Sequence, residues 1–281
     1  MCGANASYCV MSGLVKLPHD MGPCMTVFFR FATGLGLLGI MAMFGKIELK
    51  FINSPLLIFR GLAGAAAVFS WFFSISSLGL GKGTVIFYSY PLFAGIFSAF
   101  CLKEKVTPLK WMALICAFTG IFMLVMGKEI VNPSFQAIGL HEFIAVLGAI
   151  LGGAAVVSVK KLVGFNSSSS IYFAQCVAGF WLFIIPGNLS AASPGYPDFF
   201  LLLCIGIAAT IGQLLMTEGY RHVSVATGAT FAMLTPVLNT LVGVAIFKES
   251  FVAVEMAGAA IIMVSCVVIV IYDTISDPVK K

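Results

Sequence analysis

Apolar runs long enough to cross a bilayer follow one another along the whole chain, at about 1–17, 23–44, 55–78, 83–102, 108–127, 142–160, 170–187, 198–217, 224–247 and 252–272. Only short polar turns separate them, marked by Leu17-Pro18-His19-Asp20, Asn53-Ser54-Pro55, Asn132-Pro133, the serine run after Asn166, and Ser193-Pro194-Gly195-Tyr196-Pro197. A spanning helix needs roughly 20 mostly apolar residues. Ten of them consume most of the 281 positions and leave no room for a soluble catalytic domain. A soluble fold that is 60% hydrophobic and 10% charged could not hide its apolar surface. The expected class is an all-α integral membrane protein.

The second half of the chain repeats the first. Pro91 and Pro236, Glu104 and Glu249, and Lys16 and Lys161 are each separated by 145 positions. One offset held without net insertion marks a duplicated unit rather than two similar greasy stretches. The units read as residues 1–127 and 141–272, each with five transmembrane helices, joined by a loop at 128–140 and followed by a cytoplasmic tail at 273–281. Five is odd, so the second unit enters the membrane upside down. The expected architecture is ten transmembrane helices as two inverted five-helix repeats, a common plan for transporters whose halves rock about a midplane site. The first run has no basic lead, fits a signal peptide poorly, and reads as a true but short first helix.

The net charge of +5 forms no stripe or arm, which argues against nucleic acid as a partner. The basic residues instead act as topology signals. With the N-terminus inside, the inner segments hold Lys46, Lys50, Arg60, Lys103, Lys105, Lys110, Lys160, Lys161, Arg221, Lys280 and Lys281. The outer ones hold Lys16, Lys82, Lys128 and Lys248. Eleven against four places both termini in the cytoplasm, in a plasma or inner membrane. Eight scattered cysteines without a CxxC read as small buried hydrophobes, and three distant histidines give no metal site. No cofactor is expected. The sequence holds no GxSxG, HExxH or paired carboxylates at depth, so it does not read as a membrane enzyme.

Polar groups inside a membrane are costly, and those that remain are the functional candidates. Arg30 lies about 10 Å into the second run, and its repeat equivalent is Gln175. The fourth and ninth runs each hold a proline near the middle, Pro91 and Pro236, where a lost hydrogen bond frees a carbonyl toward protein or a wet cavity. Tyr88 and Tyr90 precede the first, Thr235 precedes the second, and Asn239 follows it by about a turn. Gln213 in the eighth run and Trp71 in the third complete the expected substrate-binding set; an aromatic at mid-span suits a planar or cationic group. Glu104, Glu142, Glu218, Glu249, Glu255 and Asp273 all fall near span ends. The absence of a midplane carboxylate tilts the mechanism toward facilitated diffusion or exchange rather than proton coupling.

Phe29-Arg30-Phe31, Tyr88-Ser89-Tyr90-Pro91-Leu92-Phe93 leading to Leu102-Lys103-Glu104, and Leu234-Thr235-Pro236-Val237 leading to Phe247-Lys248-Glu249 resemble the EamA-type transporters of the drug/metabolite transporter superfamily. The resemblance covers the whole chain. It implies ten helices, alternating access, and a central cavity lined by helices three, four, eight and nine. It also implies a small organic substrate, amino-acid-like or nucleotide-like. Phe59-Arg60-Gly61-Leu62 adds a likeness to the S-adenosylmethionine carriers within that group. The expected function is therefore a secondary transporter with a small-molecule substrate and the lipid bilayer as partners. The alternatives are a proton-coupled drug or metabolite exporter and, further off, a pore or scaffold. A homodimer is one assembly open to it.

Overall fold

The computed structural model describes residues 1–15, 22–104, 106–131, 139–189, 195–247 and 252–276. These residues form eleven helices and no strand: α1 (Cys2–Val15), α2 (Pro23–Met43), α3 (Ser54–Phe87), α4 (Tyr90–Cys101), α5 (Pro108–Val131), α6 (Leu140–Leu162), α7 (Ser168–Leu189), α8 (Tyr196–His222), α9 (Val225–Ala232), α10 (Leu234–Phe247) and α11 (Ala253–Ser276). Backbone polar groups cannot be left open in lipid, and helices satisfy theirs internally. Seven described segments are long and apolar enough to cross a membrane, and Tyr90–Cys101 and Pro108–Leu124 are shorter apolar helices. Met43, Phe100, Trp181, Ile185 and Ile275 are among the large apolar side chains on the outer surface, where lipid rather than water is the natural solvent. The chain is a multi-pass membrane protein.

The helix limits depart from the sequence reading at two places. Residues 54–87 are one run of helical backbone, where separate third and fourth spans divide at 79–82 in the sequence. Yet this run is not one rod. The rings of Trp71 and Phe87 are 5.9 Å apart, whereas sixteen residues of straight helix advance about 24 Å. The chain doubles back between them, and Gly79, Gly81 and Gly83 lie in that stretch, where glycine permits a sharp bend. The second departure concerns the prolines. Neither sits in mid-helix: the chain breaks at Tyr88–Ser89 and again at Met233, so Pro91 and Pro236 fall in the first turns of α4 and α10. There the missing N–H has no intrahelical partner to lose. The breaks are themselves 145 positions apart, counted from Tyr88 to Met233.

Packing crosses between the halves. Helix α3 lies against α6 and α1 against α8; α3 lies against α7 and α2 against α8; α4 lies against α6 and α1 against α10. Helix α2 packs on α7, and α5 on α11. At the last contact the backbones touch. A Cβ added to Gly120 would stand 2.7 Å from the Gly258 carbonyl oxygen, and one on Gly258 would stand 2.5 Å from that of Gly120. Only small residues allow helices to approach this closely.

One end of the bundle is cross-tied by polar groups. Lys110 at the start of α5 pairs with Asp273 on α11 at 2.8 Å and donates to the Ser224 hydroxyl at 3.2 Å. The Thr227 hydroxyl donates to Asp273 at 2.6 Å, and Glu104 accepts from the Val225 N–H at 3.1 Å. Lys160 donates to the carbonyls of Tyr220 and Val223, and Arg221 to those of Val163 and Asn166. Asn166 in turn makes a two-way bond with the backbone of Ile52. Lys110, Lys160 and Arg221, three of the residues the sequence assigns to the inner side, therefore meet at the same end.

Candidate functional site

The two helix breaks face the middle of the bundle, and a cavity opens beside them with about 870 Å³ of atom-free space, its mouth included. Its wall draws on both halves: Asn5, Tyr8, Met11 and Ser12 from α1, Arg30 from α2, Arg60, Gly64, Val68, Trp71 and Phe87 from α3, Tyr88 from the first break and Tyr90 from α4. From the second half come Gly152 and Val156 of α6, Gln175 of α7, Gln213 and Met216 of α8, Gly228 and Ala232 of α9, and Thr235 of α10.

Seven of the eight residues singled out in the sequence stand together on this wall: Arg30, Trp71, Tyr88, Tyr90, Gln175, Gln213 and Thr235. Asn239 does not. It is half-buried on α10, one turn past Pro236, and is absent from the cavity lining. The turn that carries it follows the break rather than facing it. The prolines act from behind the wall, through the breaks they define.

Arg60 corrects the sequence reading. Counted among the basic residues of an inner loop, it is a helical residue of α3, 3% exposed, with its guanidinium in the cavity. Its Nη2 donates to Gln175 Oε1 at 3.0 Å. Gly64, one turn further along α3, makes this possible. A Cβ there would run into Arg60 Nη1 and stand 2.8 Å from Gln175 Nε2. The charge count on the inner side falls to ten, and its excess over the outer side stands.

Arg30 is equally buried, at 3% exposure. Its Nη1 lies 3.7 Å from the Met11 sulfur, and its guanidinium carbon is 6.0 Å from the Phe31 ring. The first helix, which the sequence left without a role, supplies a polar face of its own. The Tyr8 hydroxyl donates to Gln213 Oε1 at 2.9 Å. Asn5 bridges the second break: its Nδ2 donates to the Phe231 carbonyl at 2.6 Å, and its Oδ1 accepts from the Thr235 hydroxyl at 3.3 Å. A single asparagine among small residues of a short apolar run was the available signal, and its depth in the fold was what gave it meaning. The aromatic side is continuous, with the Phe87 ring 5.9 Å from that of Tyr88 and 5.5 Å from that of Tyr90. The arrangement can clasp a small organic molecule between aromatic faces and hydrogen-bonding cations. Among the described residues, no group of three or more His, Cys, Asp or Glu side chains is placed to hold a metal ion.

The EamA-like transporter family model matches residues 4–126 and, a second time, residues 140–271. The chain belongs to the EamA-like transporter family. It is 26% identical to the pseudopaline exporter CntI of Pseudomonas aeruginosa, covering 94% of this chain and 92% of that one. It is 25% identical to the S-adenosylmethionine uptake transporter of Rickettsia bellii, covering 90% and 85%. A solved crystal structure superposes with a TM-score of 0.82 at 15% identity, over 96% of this chain and 94% of the other, a likeness of fold.

Proposed function

We propose that this EamA-family protein is a secondary transporter that moves a small organic metabolite, amino-acid-like or nucleotide-like, by alternating access. The cavity carries the reading: a largely apolar chamber set with a few polar groups and walled from both halves, in a bundle cross-tied at one end by the ion pair and hydrogen bonds around Lys110 and Asp273.

Several features support two inverted repeats around that chamber. Under the 145-residue offset α1, α2 and α3 correspond to α6, α7 and α8, and the packing pairs exchange accordingly: α1 on α8 with α3 on α6, and α2 on α8 with α3 on α7. Six pairs of wall residues stand at the same offset, Met11 and Val156, Arg30 and Gln175, Val68 and Gln213, Trp71 and Met216, Phe87 and Ala232, Tyr90 and Thr235. A pseudo-two-fold axis through the cavity would produce this pattern. Units so related can exchange which end is closed, which delivers the bound molecule to the other side. The basic residues put both termini and the cross-tied end in the cytoplasm.

Uptake into proteoliposomes, with and without the same compound preloaded, tests the reading. S-adenosylmethionine, amino acids and nucleosides form the first panel, since one relative is named for S-adenosylmethionine uptake. Stimulation by preloading and indifference to a proton gradient are expected, because no carboxylate lines the cavity among the described residues. Drive by the gradient would favour a proton-coupled exporter instead, and unsaturable flux indifferent to counter-solute would indicate a pore.

A further inference from the structure

Four buried polar atoms of the cavity residues lack a hydrogen-bond partner among the described residues: Arg30 Nε, Arg60 Nε, Trp71 Nε1 and Gln213 Nε2. All four are N–H donors, and guanidinium and indole groups have no capacity to accept. Turning the Gln213 amide over would let its N–H donate to Tyr8, whose hydroxyl has the Met216 sulfur at 3.7 Å, so the three arginine and tryptophan N–H groups are the donors that no amide flip satisfies. The two arginines also lack a counter-ion. No ion pair joins either of them to a carboxylate among the described residues, and no Asp or Glu lines the cavity. Elsewhere the same chain does pair its cations, Lys110 with Asp273 and Arg221 with Glu218. Burying a charge is costly unless it is paired, so the empty chamber is held in an electrostatically incomplete form. The missing piece is acceptor-rich and negative. Planar guanidinium groups pair bidentately with carboxylates as well as phosphates.

Resting on the transporter reading, we propose that the cargo is a carboxylate-bearing organic anion or zwitterion whose carboxylate serves as the counter-ion of Arg30 and Arg60. Trp71 and Tyr90 hold its organic body. A compound that offers only cationic or neutral groups would enter against two positive charges with nothing to answer the three donors. The carboxylate leaves the two guanidinium groups locally paired where the empty chamber leaves them unpaired, so the loaded protein changes face more readily and exchange outruns net flux.

The test measures thermal unfolding of the full-length purified protein with matched compounds: glutamate, phenylalanine and benzoate, each beside its amide or methyl ester, together with S-adenosylmethionine and inorganic phosphate. Carboxylates should stabilise the protein and their esters and amides should not. Arg60→Met should weaken the carboxylate response at least tenfold. In the empty state, Arg60→Met or Arg30→Met should raise Tm by on the order of 3 °C, since each removes an unpaired buried charge. Esters, amides or phosphate acting as well as carboxylates would overturn the proposal. So would an empty Arg60→Met protein no more stable than the parent, and that comparison decides alone if no compound in the panel binds. Counterflow of a non-carboxylate would retain the transporter while removing this cargo class, whereas carboxylate binding without any counterflow would do the reverse.

Discussion

Asn5 holds the carbonyl of Phe231 at 2.6 Å, so the first helix of the chain closes a backbone gap 226 residues away. The gap lies where α9 ends at Ala232 and the chain turns at Met233, which leaves the Phe231 carbonyl at a helix end, where intrahelical partners run out. Asn5→Leu should therefore cost about 1–3 kcal/mol. Ser12→Ala, whose hydroxyl only bonds back to Tyr8 within its own helix, should cost less. Denaturant-induced unfolding of the two purified variants measures the difference.

Gly64→Ala is expected to impair transport without unfolding the protein. The added methyl displaces the end of a flexible side chain, the Arg60 guanidinium, rather than backbone. Half-saturation should rise about tenfold or more, with Tm nearly unchanged. A full loss of folded protein would show instead that Gly64 matters to helix packing.

Trp71→Ala and Tyr90→Ala each remove one face of the aromatic side of the cavity. At roughly 0.5–1.5 kcal/mol for an aromatic contact, half-saturation should rise about two- to tenfold in either variant. Asn239→Ala, off the cavity wall, should leave it unchanged. Uptake kinetics at matched amounts of folded protein check all three.

Asp273→Asn should loosen the cross-tied end, since the carboxylate meets both Lys110 at 2.8 Å and the Thr227 hydroxyl at 2.6 Å. In a variant with its native cysteines replaced, a cysteine in place of Ser224 should then react several-fold faster with a thiol reagent applied from that side. An unchanged rate would mean that the remaining bonds, among them Glu104 to the Val225 N–H, hold the end shut alone.

The membrane class, the duplication and seven of the cavity-wall residues were legible in the sequence for one reason: lipid makes each buried polar group expensive, so Arg30, Gln175 and Gln213 stand out against their apolar neighbours. Arg60 did not stand out, because it lies only six residues past the start of α3. A cation so near a helix end usually snorkels to the surface, and only Gly64 tells otherwise. Asn5 and Tyr8 were hidden by the ordinary composition of a short first helix. The prolines drew attention to the right segments, but spacing alone could not show that each helix would break three residues earlier, at Tyr88 and Met233. Asn239 lies on the same side of α10 as Thr235 but one turn further along, beyond the cavity lining.

Gly120→Val and Gly36→Ala should move in opposite directions. The first forces a side chain against the Gly258 carbonyl and should cost about 1–3 kcal/mol or more. A methyl on Gly36 meets nothing within 4 Å and improves helix propensity by up to about 1 kcal/mol. Parallel unfolding curves of the two variants and the parent read both signs at once.

The Gly120–Gly258 contact has a further consequence. Where backbone meets backbone a side chain has little room to repack, so α5 and α11 are expected to hold together as one stiff keel. In the transport cycle proposed above that pair would be the fixed line, and the chain would bend at the helix breaks, Tyr88–Ser89 before α4 and Met233 before α10.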